Sequence, residues 1–294
     1  MAMKKVHNYG QSVKAKLLNI ARKERQQYQL LLTRYLQERF LYRLSISQHR
    51  KHFLLKGGAL LYAHEQFYAR PTLDIDFMGS CINNDRESVQ LVMKEICEIT
   101  YEQDGVIFLS ETLQISDITV ENKYPGIRIT LTATLDSVRQ DMTMDIGFGD
   151  VVTPCPAELD YPMLIDGFPE TSLMAYSLET VVAEKFQTMV VRATSNSRMK
   201  DFYDLYIILK NHQFNVSILQ EAIQATFANR QTEYDPDNIV FTNTFCTNNE
   251  LSTRWITFMK KLKINTPLTF IEVMDYIQKQ LKPYWENLAG NETD

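Results

Sequence analysis

Two aspartates one residue apart raise the question of chemistry first. In Leu73-Asp74-Ile75-Asp76-Phe77 the acids alternate with apolar residues. Read as a strand, the segment puts Asp74 and Asp76 on one face and Leu73, Ile75 and Phe77 on the other, because successive side chains point to opposite sides. Neighbouring carboxylates repel unless a cation lies between them. An oxygen-rich pair on a rigid strand suits Mg²⁺, which takes carboxylates, waters and substrate phosphates. A lone Asp-x-Asp is more often an exposed, solvated strand face, so the setting has to carry the argument. Lys56-Gly57-Gly58 lies upstream, between the apolar run Phe53-Leu54-Leu55 and a helical stretch. Glycines at a helix start let backbone N–H groups approach a phosphate; a tight turn would account for the same pair.

Further charged residues extend the pattern. Asp145, in Met142-Thr143-Met144-Asp145-Ile146-Gly147, falls on the polar side of its own strand. If that strand neighbours the first, three carboxylates converge, and such a set can hold two metal ions around a phosphoryl displacement. Asp150, past Phe148-Gly149, reads as a turn residue. Lys185 lies within the apolar stripe Leu178, Val182, Phe186 and Met189 of a helix, with Glu184 pointing elsewhere. A buried lysine is costly unless it meets an anion; snorkelling to the rim and reaching a triphosphate are both open. Asp201 and Asp204 edge the apolar face of the next helix. Arg198–Asp201 and Lys200–Asp204 could be surface ion pairs worth roughly 0.2–0.5 kcal/mol each, or part of a charged patch facing the same cleft as Lys185.

These residues need elements to hold them. Leu17, Leu18, Leu30, Leu31, Tyr35, Leu36 and Phe40 recur at helical spacing and predict helix over residues 11–47. Ala59 to Phe67 and Arg86 to Tyr101 read as helices, and Leu73 to Met78 as a strand. Ile127, Ile129, Leu131, Ala133 and Leu135 alternate with Arg128, Thr130, Thr132 and Thr134, which marks a half-buried strand. Asp136 to Asp141 reads as a polar turn into a partner strand from Met142 to Gly147. The proline-containing piece from Pro154 to Pro169 reads as a connector. From Leu178 onward the pattern is mostly helical. The expected fold class is therefore α+β or α/β: N-terminal helices and a small core over residues 1–165, then a helical domain over 166–294, with a cleft between them.

Composition excludes several classes. The chain has 294 residues, 45% apolar and 23% charged, which is ordinary for a globular protein and not for a disordered or fibrous one. No run approaches the roughly 18 apolar residues of a membrane helix, and the N-terminus lacks the apolar stretch of a signal peptide. Cys81, Cys97, Cys155 and Cys246 are scattered, so neither a disulfide framework nor a zinc knuckle is expected, and a reducing cytoplasm fits. The net charge is −5, but residues 1–52 hold twelve Lys or Arg against Glu24 and Glu38, a net of +10 that leaves −15 on the remainder. A basic arm on an acidic body points to an anionic partner such as RNA or an acidic protein, with a solvated helix surface as the plain alternative.

The segments FLLKGGALL (53–61), RPTLDIDF (70–77), DIGFGDVVTP (145–154), YPMLI (161–165), ETVVAEKF (179–186) and SRMKDFYDL (197–205) resemble, in order and spacing, the AbiEii/MenA family of nucleotidyltransferase toxins. The resemblance runs from about residue 25 to the C-terminal helices. It implies a DNA polymerase β-like nucleotidyltransferase core with a mixed sheet. It also implies the toxin half of a bacterial toxin–antitoxin pair, tied to abortive infection and phage defence. Related toxins transfer a nucleotide from a nucleoside triphosphate to tRNA acceptor ends and so block growth. On this resemblance Gly57 and Gly58, with Lys56, belong to the nucleotide-binding glycine motif. Asp74, Asp76 and Asp145 are the catalytic acids that hold Mg²⁺. Lys185 approaches the phosphates, and either Asp201 or Asp204 is the acid of the last motif. The implied partners are the triphosphate, a tRNA acceptor and an antitoxin that need not bind directly; no membrane is involved. Two departures stand out: Ala59 replaces the Ser or Thr common in the glycine motif, and the Gly58-to-Asp74 gap is longer than the minimal superfamily spacing. A small-molecule (antibiotic-type) nucleotidyltransferase and a catalytically silent nucleotide-binding module remain as alternatives. A metal nuclease accounts for the acids but not for the glycine turn.

Overall fold

The N-terminal helical stretch is two helices rather than one. In the computed structural model, which describes residues 8–118, 126–262 and 268–289, α1 (Tyr9–Lys23) and α2 (Tyr28–Ile46) are separated by a turn. Arg25 adopts φ 52° there, a left-handed conformation that ends the first helix. Residues 1–7, with Lys4 and Lys5 and the start of the expected signal-free N-terminus, lie outside the described residues.

By their internal contacts, residues Met1–Gly149 and Ala157–Ala175 form one unit, and Asp150–Pro156 with Tyr176–Asp294 a second. The boundary drawn from sequence at residue 165 differs from this division. The supposed connector contains strand β6 (Ala157–Tyr161), which pairs antiparallel with β7 (Thr171–Ala175). The prolines flank these strands instead of interrupting them, so the Pro-rich appearance is misleading.

In the first unit, seven strands form one mixed sheet of order β3-β4-β5-β2-β1-β7-β6. The expected strands are β2 (Asp74–Gly79), β4 (Gly126–Leu135) and β5 (Val138–Gly147), and the apolar run before the glycines forms β1 (Phe53–Lys56). The turn before β5 is only Asp136-Ser137, since Leu135 pairs with Val138. Arg139, Gln140 and Asp141, expected in the turn, continue the strand. The other edge, β3 (Val106–Ile118), has no counterpart in the sequence reading; its register shifts between Leu109 and Gln114, which breaks the alternation that reveals a strand. Helices α3 (Gly57–Glu65) and α4 (Arg86–Glu98) complete the unit.

One sheet face is apolar. Leu55, Ile75, Phe77, Ile129, Met144 and Ile146 are fully buried, and the Phe53 and Phe77 rings meet edge-on at 5.6 Å. Phe40 of α2 meets Phe108 of β3 in the same way. Helix α2 is buried on every side from Leu31 to Leu44. Its arginines are therefore internal: Arg34, Arg39 and Arg43 are 3%, 0% and 1% exposed. Arg34 lies 4.4 Å from the Tyr62 ring centroid and Arg39 4.8 Å from that of Phe168. Arg39 also pairs with Glu38 at 2.6 Å, and Arg43 forms a fork with Asp104. A quarter of the basic segment's cations are thus core residues that satisfy internal partners, not a surface for an anion.

The second unit is helical: α5 (Leu178–Arg192), α6 (Met199–Asn211), α7 (Val216–Asn229), α8 (Asn243–Cys246), α9 (Asn249–Leu262) and α10 (Phe270–Glu286). Phe186, Phe227, Phe241 and Tyr234 gather around Trp285. The segment Asp150–Pro156 is tied to this unit by side chains. Ser177 caps α5; its hydroxyl and that of Thr180 donate to the Thr153 carbonyl at 3.2 and 2.8 Å. Arg230, the residue that caps the C-terminus of α7, reaches Asp150 at 2.9 Å and Glu184 at 3.2 Å. No helix among the described residues is long and apolar enough to cross a membrane.

Candidate functional site

The polar face of the first unit's sheet gathers the expected acids. Strand β2 runs parallel to β5, with Asp76 beside Asp145 and Asp74 beside Thr143. One carboxylate oxygen from each of Asp74, Asp76 and Asp145 lies within 4.8 Å of the others, and all three residues are half-buried. The donor set is carboxylate oxygen alone, without histidine or cysteine, which fits Mg²⁺ or Mn²⁺ and not zinc. Three carboxylates this close repel one another, and a cation between them would relieve that repulsion.

The glycine turn is pressed against these acids. Strand β1 ends at Lys56, which pairs across the sheet with Asp76. Gly57 then turns at φ +66° to start α3. A methyl group on Gly57 would lie 1.9 Å from Asp76 Oδ2, and one on Gly58 would lie 2.6 Å from Thr72 Oγ1. Both glycines are required by close approach, independently of any ligand. The result places the N-terminus of a nine-residue helix, whose first N–H groups have no partner within the helix itself, beside a potential cation site.

Two residues in this site carried no sequence assignment. Thr72, 5% exposed, donates its hydroxyl to Asp74 Oδ1 at 2.8 Å. Arg128 lies opposite Asp145 in the β4–β5 register. Its Nε and Nη2 bind the two Asp145 oxygens at 2.8 and 2.7 Å. The paired Asp145 carboxylate, with Asp74 and Asp76 nearby, raises the Arg128 pKa further. Thr72 stands two residues before the first acid, and Arg128 interrupts an otherwise uncharged threonine face; those were the available signals.

The remaining predicted residues cluster in the second unit. Lys185 of α5 donates to Asp201 Oδ1 at 2.9 Å and Asp204 Oδ2 at 2.8 Å, both on α6. Lys185 thus neither snorkels to the rim nor lies unpaired in an apolar stripe: its side chain is 12% exposed, and the acids' are 3% and 2%. Arg198 adds its i,i+3 pair to Asp201 at 2.9 Å. Burial alone would push the Asp201 carboxyl up, but Lys185 and then Arg198 hold it below the usual aspartate value. Asp201 and Asp204 share Lys185, so the question of which one matters becomes a question about a pair.

The family described as "Nucleotidyl transferase AbiEii toxin, Type IV TA system" matches residues 39–289. No curated protein matches the sequence. Among solved structures, JHP933 from Helicobacter pylori is similar at TM-score 0.50 and 15% identity, over 90% of this chain and 95% of that one. A second H. pylori structure, described as a candidate nucleotidyltransferase, is similar at TM-score 0.47 and 15% identity, over 89% of this chain and 97% of that one. At this identity the first likeness speaks to the fold alone.

Proposed function

The chain belongs to the AbiEii nucleotidyl transferase toxin family of type IV toxin–antitoxin systems, and from that premise we propose that it transfers a nucleotide from a nucleoside triphosphate to an RNA 3′ end, with tRNA as the acceptor. The observation that carries this reading is the convergence of Asp74, Asp76 and Asp145 next to the Gly57-Gly58 turn. Asp74, Asp76 and Asp145 would hold Mg²⁺. The bound ion would neutralise charge on the reacting phosphate and on the attacking and leaving oxygens. The α3 N–H groups at the glycine turn would hold the triphosphate. On the family resemblance we assign Lys185 to the nucleotide phosphates, and Asp201 or Asp204, which it binds, to the acid of the last motif. The acceptor hydroxyl then attacks the α-phosphorus, the bond to the bridging oxygen breaks and pyrophosphate leaves. The chain's contribution is positioning and preorganised charge. The cognate antitoxin, in a pair of this type, need not touch the toxin.

Incubating the protein with Mg²⁺, each α-labelled NTP in turn and total bacterial RNA tests this reading. A tRNA-sized labelled band supports it, and periodate oxidation of the RNA should then abolish labelling by destroying the terminal ribose diol. Labelling that survives periodate excludes the 3′ end. A small-molecule acceptor is the second reading. It is favoured by the internal position of Arg34, Arg39 and Arg43, which removes part of the basic surface that argued for RNA. No RNA labelling, with label instead in a small product, would select it.

A further inference from the structure

Arg128 occupies both oxygens of a carboxylate that the proposed reaction needs for a cation. Its guanidinium meets the Asp145 carboxylate as a fork, with Nε on Oδ1 at 2.8 Å and Nη2 on Oδ2 at 2.7 Å. The arginine side chain is 50% exposed and the Asp145 side chain 18%. Two effects follow, with opposite signs. As a cation beside the site, Arg128 opposes the arrival of a divalent ion. As a fork, it fixes the direction of the Asp145 carboxylate, which otherwise would swing away from Asp74 and Asp76 because like charges repel. An ionised carboxylate has about four lone-pair sites on its two oxygens, so two N–H bonds leave each oxygen able to bind again. One Asp145 oxygen is already within 4.8 Å of oxygens on both other acids while the fork is in place. The cation position is therefore assembled with Arg128 bound, not after its departure.

We propose that Arg128 is a positioning residue of the metal site: it holds Asp145 toward Asp74 and Asp76 before a cation arrives, and it stays on Asp145 when the cation binds. The inference rests on the reading of the three acids as a metal site. It assigns the ligand's support rather than the ligand. Groups that orient a metal ligand typically change metal affinity 10–100-fold when removed. A lysine cannot substitute here, because a single ammonium does not reproduce a planar two-point fork.

The test uses Mn²⁺ alone, titrated into the intact protein and followed by the loss of the free-ion electron paramagnetic resonance signal. Wild-type binding that Asp74→Asn abolishes establishes the triad as the site. Arg128→Gln should then weaken Mn²⁺ binding on the order of tenfold, and Arg128→Lys should not restore it. In an Asp145→Asn background, Arg128→Gln should add no further loss, since the arginine acts through that acid. Circular dichroism checks that each variant is folded. Unchanged or tighter binding in Arg128→Gln, or wild-type binding in Arg128→Lys, overturns the positioning role and leaves the metal site standing. If the wild type binds no Mn²⁺, or Asp74→Asn binds as well, the metal-site reading itself fails and Arg128 falls with it.

Discussion

Gly57 has no room for a methyl group: its Cβ would lie 1.9 Å from Asp76 Oδ2, at a φ of +66°. Gly57→Ala must therefore move Asp76 and strain the turn. We expect a stability loss of about 1 kcal/mol from the backbone, and a larger loss of Mg²⁺-dependent activity from the displaced acid. A thermal melt and a transfer assay on the same sample separate the two; wild-type activity in Gly57→Ala would show that Asp76 is not positioned by this contact. At this scale much of the site was legible. Asp74, Asp76, Gly57 and Gly58 announced themselves by type and spacing. Asp145 needed one assumption, that its strand neighbours the first, and the parallel β2–β5 pairing supplies it. Arg128 and Thr72 were not legible, because what marks them is a cross-strand partner and a local hydroxyl bond, and neither leaves a pattern in a single strand.

Helix α2 shows where pattern reading stops at the level of elements. A helix that is apolar on one face reveals its burial by period, but α2 is buried all round and carries charge inside, so its sequence resembles a surface helix. Its partners are Asp104 and the Phe108 ring, from segments without a helix or strand signal, and the Phe168 ring, from the proline-framed piece that reads as a connector. Glu38 is the most exacting of these groups. Burial pushes its pKa up to about 7, against the lowering effect of Arg39 and the Leu164 N–H. Its unfolded value is near 4.3, so the folded state holds the proton more tightly. The associated stability is present in full below about pH 4 and is lost as pH rises through about 7, with a slope of up to about 1.4 kcal/mol per pH unit. Glu38→Gln should remove that component, so its unfolding free energy should fall less steeply than wild type between about pH 5 and 7; parallel curves in urea melts would contradict this. It should also be less stable overall, because Arg39 loses its acid. In the second unit, Lys185→Met leaves Asp201 and Asp204 buried without their shared cation. A loss of roughly 3–5 kcal/mol is expected. Asp204→Asn, which keeps the volume and one carboxylate for the lysine, should be milder in the same melts.

At the scale of the whole molecule, the fold class was readable because its strongest signals are long: the alternation of β4, the helical period from Leu178, and the order of the charged motifs between them. Strands β3, β6 and β7 were missed because they are an interrupted edge and a short pair framed by prolines. The charge asymmetry was real in number but misleading in location. Of the described basic residues on α1 and its C-terminal turn, Lys16, Arg22, Lys23 and Arg25 are exposed. If RNA is the acceptor, replacing these four with alanine should weaken tRNA binding and reduce the salt dependence, lowering the log–log slope by roughly 3 if all four meet phosphate. Arg39→Met should change stability and leave the slope alone. An unchanged slope in the fourfold variant would place the RNA elsewhere.

The three acids at the glycine turn should support transfer of a nucleotide, not of a phosphate. Parallel reactions with α-labelled and γ-labelled forms of the active NTP, each run with wild type and with Asp74→Asn, test it most directly. Label from the α position should enter the acceptor, label from the γ position should be released as pyrophosphate, and Asp74→Asn should lower the first by roughly 10³-fold, the several kcal/mol expected of a metal carboxylate. Label entering the acceptor from the γ position, or full α transfer by folded Asp74→Asn, would contradict it.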